Sequence, residues 1–310
     1  MVEVPGLALV EPMMPILVKE IIEGLEYVYQ VKWDGVRMLA YLSAGRVTLV
    51  NRRGHLRTGQ YPELQELASL LKVPAAILDG ELVVLKNGKP SFASILKRDL
   101  SGRQADHLKK LYPIHYMVFD IPFAGRDLRN LSLMERQRVL EQTLVKTEWV
   151  HTVENFSAGH SLFEAVKAQD MEGIVIKRST SPYISGKKHR DWLKVKYRRT
   201  QYCVIGGYTL NGTTVNALLL GVYHNQNLLY VGKAGTGLKQ EEWSVLTREL
   251  SRMSISHSPF VNKPPARGYY FVHPRLTVKI EFAEWTESLT LRSPVITGFS
   301  NKPAEDCRLE

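Results

Sequence analysis

At 310 residues, with 44% hydrophobic and 23% charged residues, the chain can fill two globular domains and needs no disulfide to close a core. Its two cysteines, Cys203 and Cys307, form no CxxC or Cys/His spacing, which excludes a zinc ribbon and fits a reducing, cytoplasmic setting. The net charge of +10 makes nucleic acid the leading partner class, and no apolar run approaches the roughly 20 residues of a membrane helix. Residues 7–18 are apolar but broken by Glu11, Pro12 and Pro15, without the basic start of a signal peptide.

In chain order, residues 27–50 read as two strands around a turn at Ser43-Ala44-Gly45. Residues 61–71 place Leu64, Leu67, Leu70 and Leu71 at helical spacing behind Pro62. Residues 76–85 form a strand closed by the hairpin signal Asn87-Gly88, and 114–121 another. Helices are predicted over 133–143 and 161–168, and late strands over 174–177 and 192–196. The basic run Lys196-Tyr197-Arg198-Arg199 reads as a hinge. Beyond it come strands at 202–210, 213–223 and 227–233, a helix at 241–253, and strands at 276–285 and 289–292. Five short strands with a helix between the third and fourth match a small OB barrel.

Charged and aromatic groups recur where the apolar strands of the first two hundred residues begin, are interrupted or end. They are Lys32-Trp33-Asp34-Gly35-Val36-Arg37, Asn51-Arg52-Arg53-Gly54, Asp79-Gly80-Glu81, Phe119-Asp120, Glu172-Gly173 and the alternating Lys194 and Lys196. A strand-end lysine among other cations can attack an electrophile once it is neutral. No G-x-x-x-x-G-K-[ST] loop is present, which disfavours a P-loop ATPase.

In this order the six sets resemble the motifs of the covalent nucleotidyltransferase superfamily: ATP-dependent DNA ligases, RNA ligases and mRNA capping enzymes. Pro12-Met13-Met14, the segment 91–98, the string 230–237, Val272-His273-Pro274 and Glu284-Trp285-Thr286 resemble bacterial ATP-dependent DNA ligases of the end-joining kind. That group includes the ligase module of ligase D and its stand-alone relatives. The resemblance implies an α+β chain. An adenylyltransferase (ATP-grasp-like) domain of mainly antiparallel sheets covers 1–199, and a C-terminal all-β OB-fold barrel covers 200–310.

The resemblance also implies roles. Lys32 takes AMP from ATP as a covalent adduct, passes it to the 5′-phosphate of nicked or broken duplex DNA, and the 3′-hydroxyl then displaces it. The amine must be neutral to attack, which the cations Arg37, Lys194 and Lys196 favour. Arg52 contacts the AMP, Glu81 holds the ribose or a metal, and Glu172 helps bind Mg²⁺ or Mn²⁺. Phe119 stacks on the adenine with Val175 or Ile176 against its other face, and Gln30 and Val31 lie beside the base. Asp34 acts in the later steps. Arg53, Arg57, Lys97, Arg98, Arg103 and Lys187-Lys188-His189-Arg190 are candidates for DNA phosphate. The expected protein is a monomer, cytoplasmic and associated with the bacterial nucleoid, without membrane contact, with Ku as a partner by analogy.

Two positions depart from the family pattern. Gln30 stands where DNA ligases usually carry Glu, so its amide can accept from adenine or, turned over, donate to guanine. This keeps a capping guanylyltransferase as a rival; an RNA ligase and a non-catalytic nucleic-acid module are the others. In the last motif Arg292, Pro294 and Gly298 fit, but Ile296 replaces Phe, Ser300 replaces an Arg, and Lys302-Pro303 replaces Asp-Lys. That basic set orients the leaving pyrophosphate, with Arg292 and Lys302 as its remnants here. Ser300→Arg should therefore speed reaction with ATP and leave sealing of pre-adenylated DNA little changed. Equal effects on both steps, or none, refute it.

Overall fold

The structure is a computed structural model and describes residues 7–101, 105–262, 264, 268–286 and 288–309. Two compact units, Met1–Tyr197 and Arg198–Glu310, divide the chain. The first carries β1 (Met14–Leu17), β2 (Tyr27–Val31), β3 (Val36–Ser43), β4 (Arg46–Asn51), β5 (Ala75–Lys86) and β6 (Lys89–Pro90). Helices α1 (Phe92–Asp99) and α2 (Ala105–Leu111) follow, then β7 (Ile114–Ala124), α3 (Leu133–Thr143), β8 (Val150–Thr152), α4 (Gly159–Ala168), β9 (Gly173–Arg178) and β10 (Lys188–Lys196).

These strands form two sheets, in the orders β1-β10-β9-β2 and β4-β3-β5-β7-β8, with β6 on β5. All ladders are antiparallel except β1 with β10 and β7 with β8. Alternation sorts the first sheet into two faces. Tyr29, Ile174, Ile176, Leu193 and Val195 pack on Leu162 and Val166 of α4. The opposite face carries Gln30, Val175 and Lys194, which lie side by side across β2, β9 and β10. In the second sheet Met38, Ala40, Leu78 and Leu82 fill the main core. Each buried Leu there contributes about 1.5–3 kcal/mol.

Residues 27–50 hold three strands, not the expected two. β2 belongs to the first sheet and β3 to the second, so Lys32-Trp33-Asp34-Gly35 is the crossing between them. Gly35 makes that crossing possible, because a Cβ there would collide with the Leu82 carbonyl oxygen. The predicted helix at 61–71 is a 3₁₀ helix, Pro62–Leu70, with Leu64 and Leu67 buried. The three-residue spacing of Leu64, Leu67 and Leu70 suits three residues per turn. β1 went unpredicted because Pro15 interrupts it; the strand is a sheet edge with a register shift at Pro15, where proline is tolerated.

The second unit contains β11 (Arg199–Asn211), β12 (Thr214–His224), β13 (Asn227–Ala234), α5 (Gln240–Arg252), β14 (Ser254–Ile255), β15 (Tyr270–Val272), β16 (Thr277–Phe282) and β17 (Val295–Ser300). Helix α5 follows the third strand, as expected, and buries Trp243, Leu246 and Leu250. Among the described residues the ladders do not close a barrel. No ladder joins β13 to β17 there, although backbone hydrogen bonds from Ile296 to Thr236 (2.9 Å) and from Leu291 to Val231 (2.7 Å) span the gap. The predicted strand at 289–292 is only a bridge between Trp285 and Leu291, and the last strand comes after Pro294. No helix among the described residues is long and apolar enough to cross a membrane.

Candidate active site

The backbone fixes Lys32 first. Its N–H donates to the Gly173 carbonyl (2.9 Å), and the Tyr197 N–H donates to the Glu172 carbonyl (2.9 Å). Strand ends from β2, β9 and β10 thus converge. Gly173 has φ of 145°, and a Cβ there would strike the Val195 carbonyl oxygen, so only glycine lets β9 and β10 pair this closely.

On this frame Glu172 holds two amines, Lys32 Nζ through Oε2 and Lys196 Nζ through Oε1 (2.8 Å). Burial raises the Glu172 pKa, but Lys32 and Lys196 outweigh it and hold the carboxyl below its ordinary range. Burial, with Lys32 and Lys196 beside it, lowers the Lys194 amine. Arg52 is exposed and adds to that repulsion. Glu81 faces the same charges from β5. Burial pushes its carboxyl up to about 8, against Lys32 and Arg37, with Glu172 and Asp34 reinforcing the rise.

Arg37 is placed differently from the expectation. Its guanidinium is bidentate on Asp79 (2.9 and 2.6 Å) and donates to the Met13 carbonyl (2.7 Å). It also lies 5.1 Å from the Phe119 ring centre. Asp79, fully buried, further accepts from the Tyr183 hydroxyl (2.6 Å). Burial works against the Arg37 charge, but Asp79 outweighs it and raises the pKa. Arg37 is therefore committed to a buried network rather than presented as a free phosphate ligand.

Val175 shares the face of Gln30 and Lys194, but Ile176 lies in the α4-facing core and Val31 packs against it. The alternation that directs Gln30 and Lys32 to one face directs the Val31 side chain to the other. Phe119, half-buried, meets Trp192 edge-on at 6.2 Å. Arg292 lies in the second unit and pairs with Glu284 (2.8 Å). Among the DNA candidates, Arg98 is fully buried and paired with Glu63 (2.7 Å), which removes it from the surface. Arg57 pairs with Asp99 (3.2 Å). Arg53, Lys97, Lys187, Lys188 and Arg190 are exposed, His189 is half-buried against Asp191, and Arg103 lies outside the described residues.

One buried amine, Lys177, closes the string Glu172-Gly173-Ile174-Val175-Ile176-Lys177 that resembles a superfamily motif, but no role is assigned to it there. Lys177 is 2% exposed and sits 4.5 Å from the Phe119 ring centre and 4.1 Å from that of Trp192. Its Nζ has no hydrogen-bond partner among the described residues. Burial lowers its pKa from 10.5 to about 7, although Asp120 and Asp79 pull the other way. Above about 10.5 both folded and unfolded chains hold a neutral amine. As pH falls toward 7 the unfolded chain takes up the proton first, so folding stability falls. Lys177→Met should therefore stabilise the fold by on the order of 2–4 kcal/mol at pH 6, with the gain shrinking as pH rises from about 7 and nearly gone above 10.5. Urea melts of both proteins across this range would check it, and a gain independent of pH would refute it.

Glu81 and Glu172 are hard oxygen donors of the kind Mg²⁺ or Mn²⁺ takes. Among the described residues no cluster of three or more His, Cys, Asp or Glu side chains forms a metal cage.

Residues 9–196 match the ATP dependent DNA ligase domain, and residues 211–302 match the ATP dependent DNA ligase C terminal region. The multifunctional non-homologous end joining protein LigD of Mycobacterium bovis is 31% identical over 299 residues, covering 93% of this chain and 38% of that protein. The chain thus spans under half the length of its LigD relatives. The SPbeta prophage-derived DNA ligase-like protein LigB of Bacillus subtilis is 32% identical over 205 residues, covering 64% of this chain and 72% of that protein. The solved ligase domain of M. tuberculosis LigD superposes with a TM-score of 0.52 at 28% identity, covering 97% of this chain and 98% of that one. With a catalytic-domain match over most of its length, the chain belongs to the ATP-dependent DNA ligase family.

Proposed function

We propose that the chain joins nicked or broken duplex DNA through a lysyl-AMP intermediate on Lys32. The observation that carries this reading is the Lys32–Glu172–Lys196 cluster at the convergence of β2, β9 and β10. In the first step the neutral Lys32 amine attacks the α-phosphorus of ATP. A P–N bond forms, the bond to the β-phosphate oxygen breaks, and pyrophosphate leaves. Glu172 orients the amine, and the cations Lys194 and Lys196 offset the charge building on the phosphate oxygens. Glu81 and Glu172 would hold the divalent metal, which supplies charge neutralisation of the phosphates when bound. A DNA 5′-phosphate oxygen then attacks the adenylate phosphorus and returns the amine. Finally the 3′-hydroxyl attacks the activated phosphate and AMP departs.

On this reading residues 1–199 are the adenylyltransferase domain and 200–310 an OB-like domain. DNA is held mostly through phosphates, which the +10 charge supports without sequence preference. The LigD likeness supports a role in end joining, with Ku as partner by analogy, acting as a monomer in the bacterial cytoplasm. Incubation with labelled ATP or GTP, then with nicked DNA or nicked RNA, tests it. The reading expects ATP label on Lys32 and sealing of DNA. Preferential GTP label, or sealing of RNA alone, overturns it.

A further inference from the structure

The purine end of the pocket contains a feature that the ligase chemistry does not require. Gln30 is 2% exposed, and its Nε2 donates to Asn155 Oδ1 (2.8 Å). Asn155 Nδ2 donates in turn to Gln137 Oε1 (2.6 Å). Gln137 Nε2 completes the chain on the backbone carbonyl of Phe119 (3.4 Å). Among the described residues no donor reaches Gln30 Oε1. Paired backbone hydrogen bonds between Tyr29 and Phe156 (3.0 and 2.8 Å) keep Asn155 beside Gln30.

The direction of this chain is fixed at its far end. A backbone carbonyl can only accept, so Gln137 must turn its NH₂ toward Phe119. Its oxygen then faces Asn155, which must donate there and accept from Gln30. Turning all three amides over would reverse each amide–amide bond and set the Gln137 oxygen against the Phe119 carbonyl oxygen, two acceptors with no proton between them. An isolated glutamine can present either end to a purine; this one is held with its NH₂ turned inward.

We propose that Asn155 and Gln137 are specificity-determining positioning residues that lock Gln30 as a hydrogen-bond acceptor, so that the site takes a 6-amino purine nucleotide and rejects a 6-oxo one. This rests on the reading above that Gln30 meets the base. The relay does for Gln30 what a carboxylate at this position would do by its chemistry, since a carboxylate has only acceptors. It also ties Gln30 to the middle of β7, which bears Phe119, so hydrogen bonding and stacking are set by one network.

The test is the ratio of initial rates of covalent labelling by ATP and by GTP, measured on the full chain. Asn155→Ala frees the Gln30 amide to turn over and should lower the ATP/GTP ratio about tenfold. Asn155 is exposed, so its truncation spares the core. In a Gln30→Glu background, where there is no amide to turn, Asn155→Ala should leave the ratio unchanged; a merely structural loss would act equally in both backgrounds. A drop of fivefold or more in the single variant, absent in the Gln30→Glu background, supports the relay. A smaller drop, or the same drop in both backgrounds, overturns the relay while Gln30→Ala still lowers the ratio. If Gln30→Ala also leaves the ratio alone, the placement of Gln30 at the base fails with it.

Discussion

Replacing Lys32 by alanine should lower labelling of the protein by ATP at least about 10⁴-fold, because no other amine can substitute for a covalent nucleophile. Lys196 is bound to the same carboxylate and Lys194 lies on the same face, yet neither can take over. Both stand on β10, whereas Lys32 alone sits on the crossing between the two sheets. Lys32→Arg should fail as completely. The guanidinium keeps the charge and the contact with Glu172 but stays protonated, so it cannot attack. A nick that already carries a 5′-adenylate bypasses the P–N bond, and both variants should still seal it. The measurement is label from α-³²P-ATP on denaturing gels, beside sealing of pre-adenylated nicked DNA. Label on either variant would remove Lys32 from its assigned role. Loss of both activities would mean that the substitution damages the pocket rather than the chemistry.

The residues around Lys32 were legible because charge interrupts apolar strands only where something requires it. Lys32, Glu172 and Lys196 stand at strand ends, Glu81 and Lys194 within β5 and β10, and the structure brings them together within one unit. What sequence alone missed falls into two kinds. Val31 is expected beside the base and Val175 or Ile176 against it, whereas the two-residue alternation that presents Gln30 and Val175 turns Val31 and Ile176 toward α4. Asn155, Gln137 and Tyr183 are different. They come from a helix and two loops far along the chain, and only the folded sheets bring them to Gln30 and Asp79. No local pattern marks a residue whose role is set by a neighbour 104 or 125 positions away. Arg98 misled for the same reason, since a cation on a helix looks solvated until the segment carrying Glu63 is laid over it.

Asp79→Ala should destabilise the first unit by about 3–5 kcal/mol, the range for stripping one partner from a buried ion pair. Asp79 is fully buried and accepts three hydrogen bonds, two from Arg37 and one from Tyr183. Alanine leaves the guanidinium with the Met13 carbonyl and the faces of Phe119 and Trp192, while the nearby Lys177 amine adds repulsion. The damage should come from the abandoned charge rather than from the loss of an attraction. Arg37→Met in the same background should then recover much of the stability, because a buried pair replaced by apolar groups is often nearly neutral. Urea denaturation of the single and double variants separates the two accounts. If the double variant is less stable than the single, Arg37 contributes stability without Asp79, and the pair is not the unit that holds Phe119 and Trp192 in place. If the single variant costs under about 1 kcal/mol, water or a rearranged Tyr183 reaches the guanidinium, and the pocket floor is less rigid than its hydrogen bonds imply.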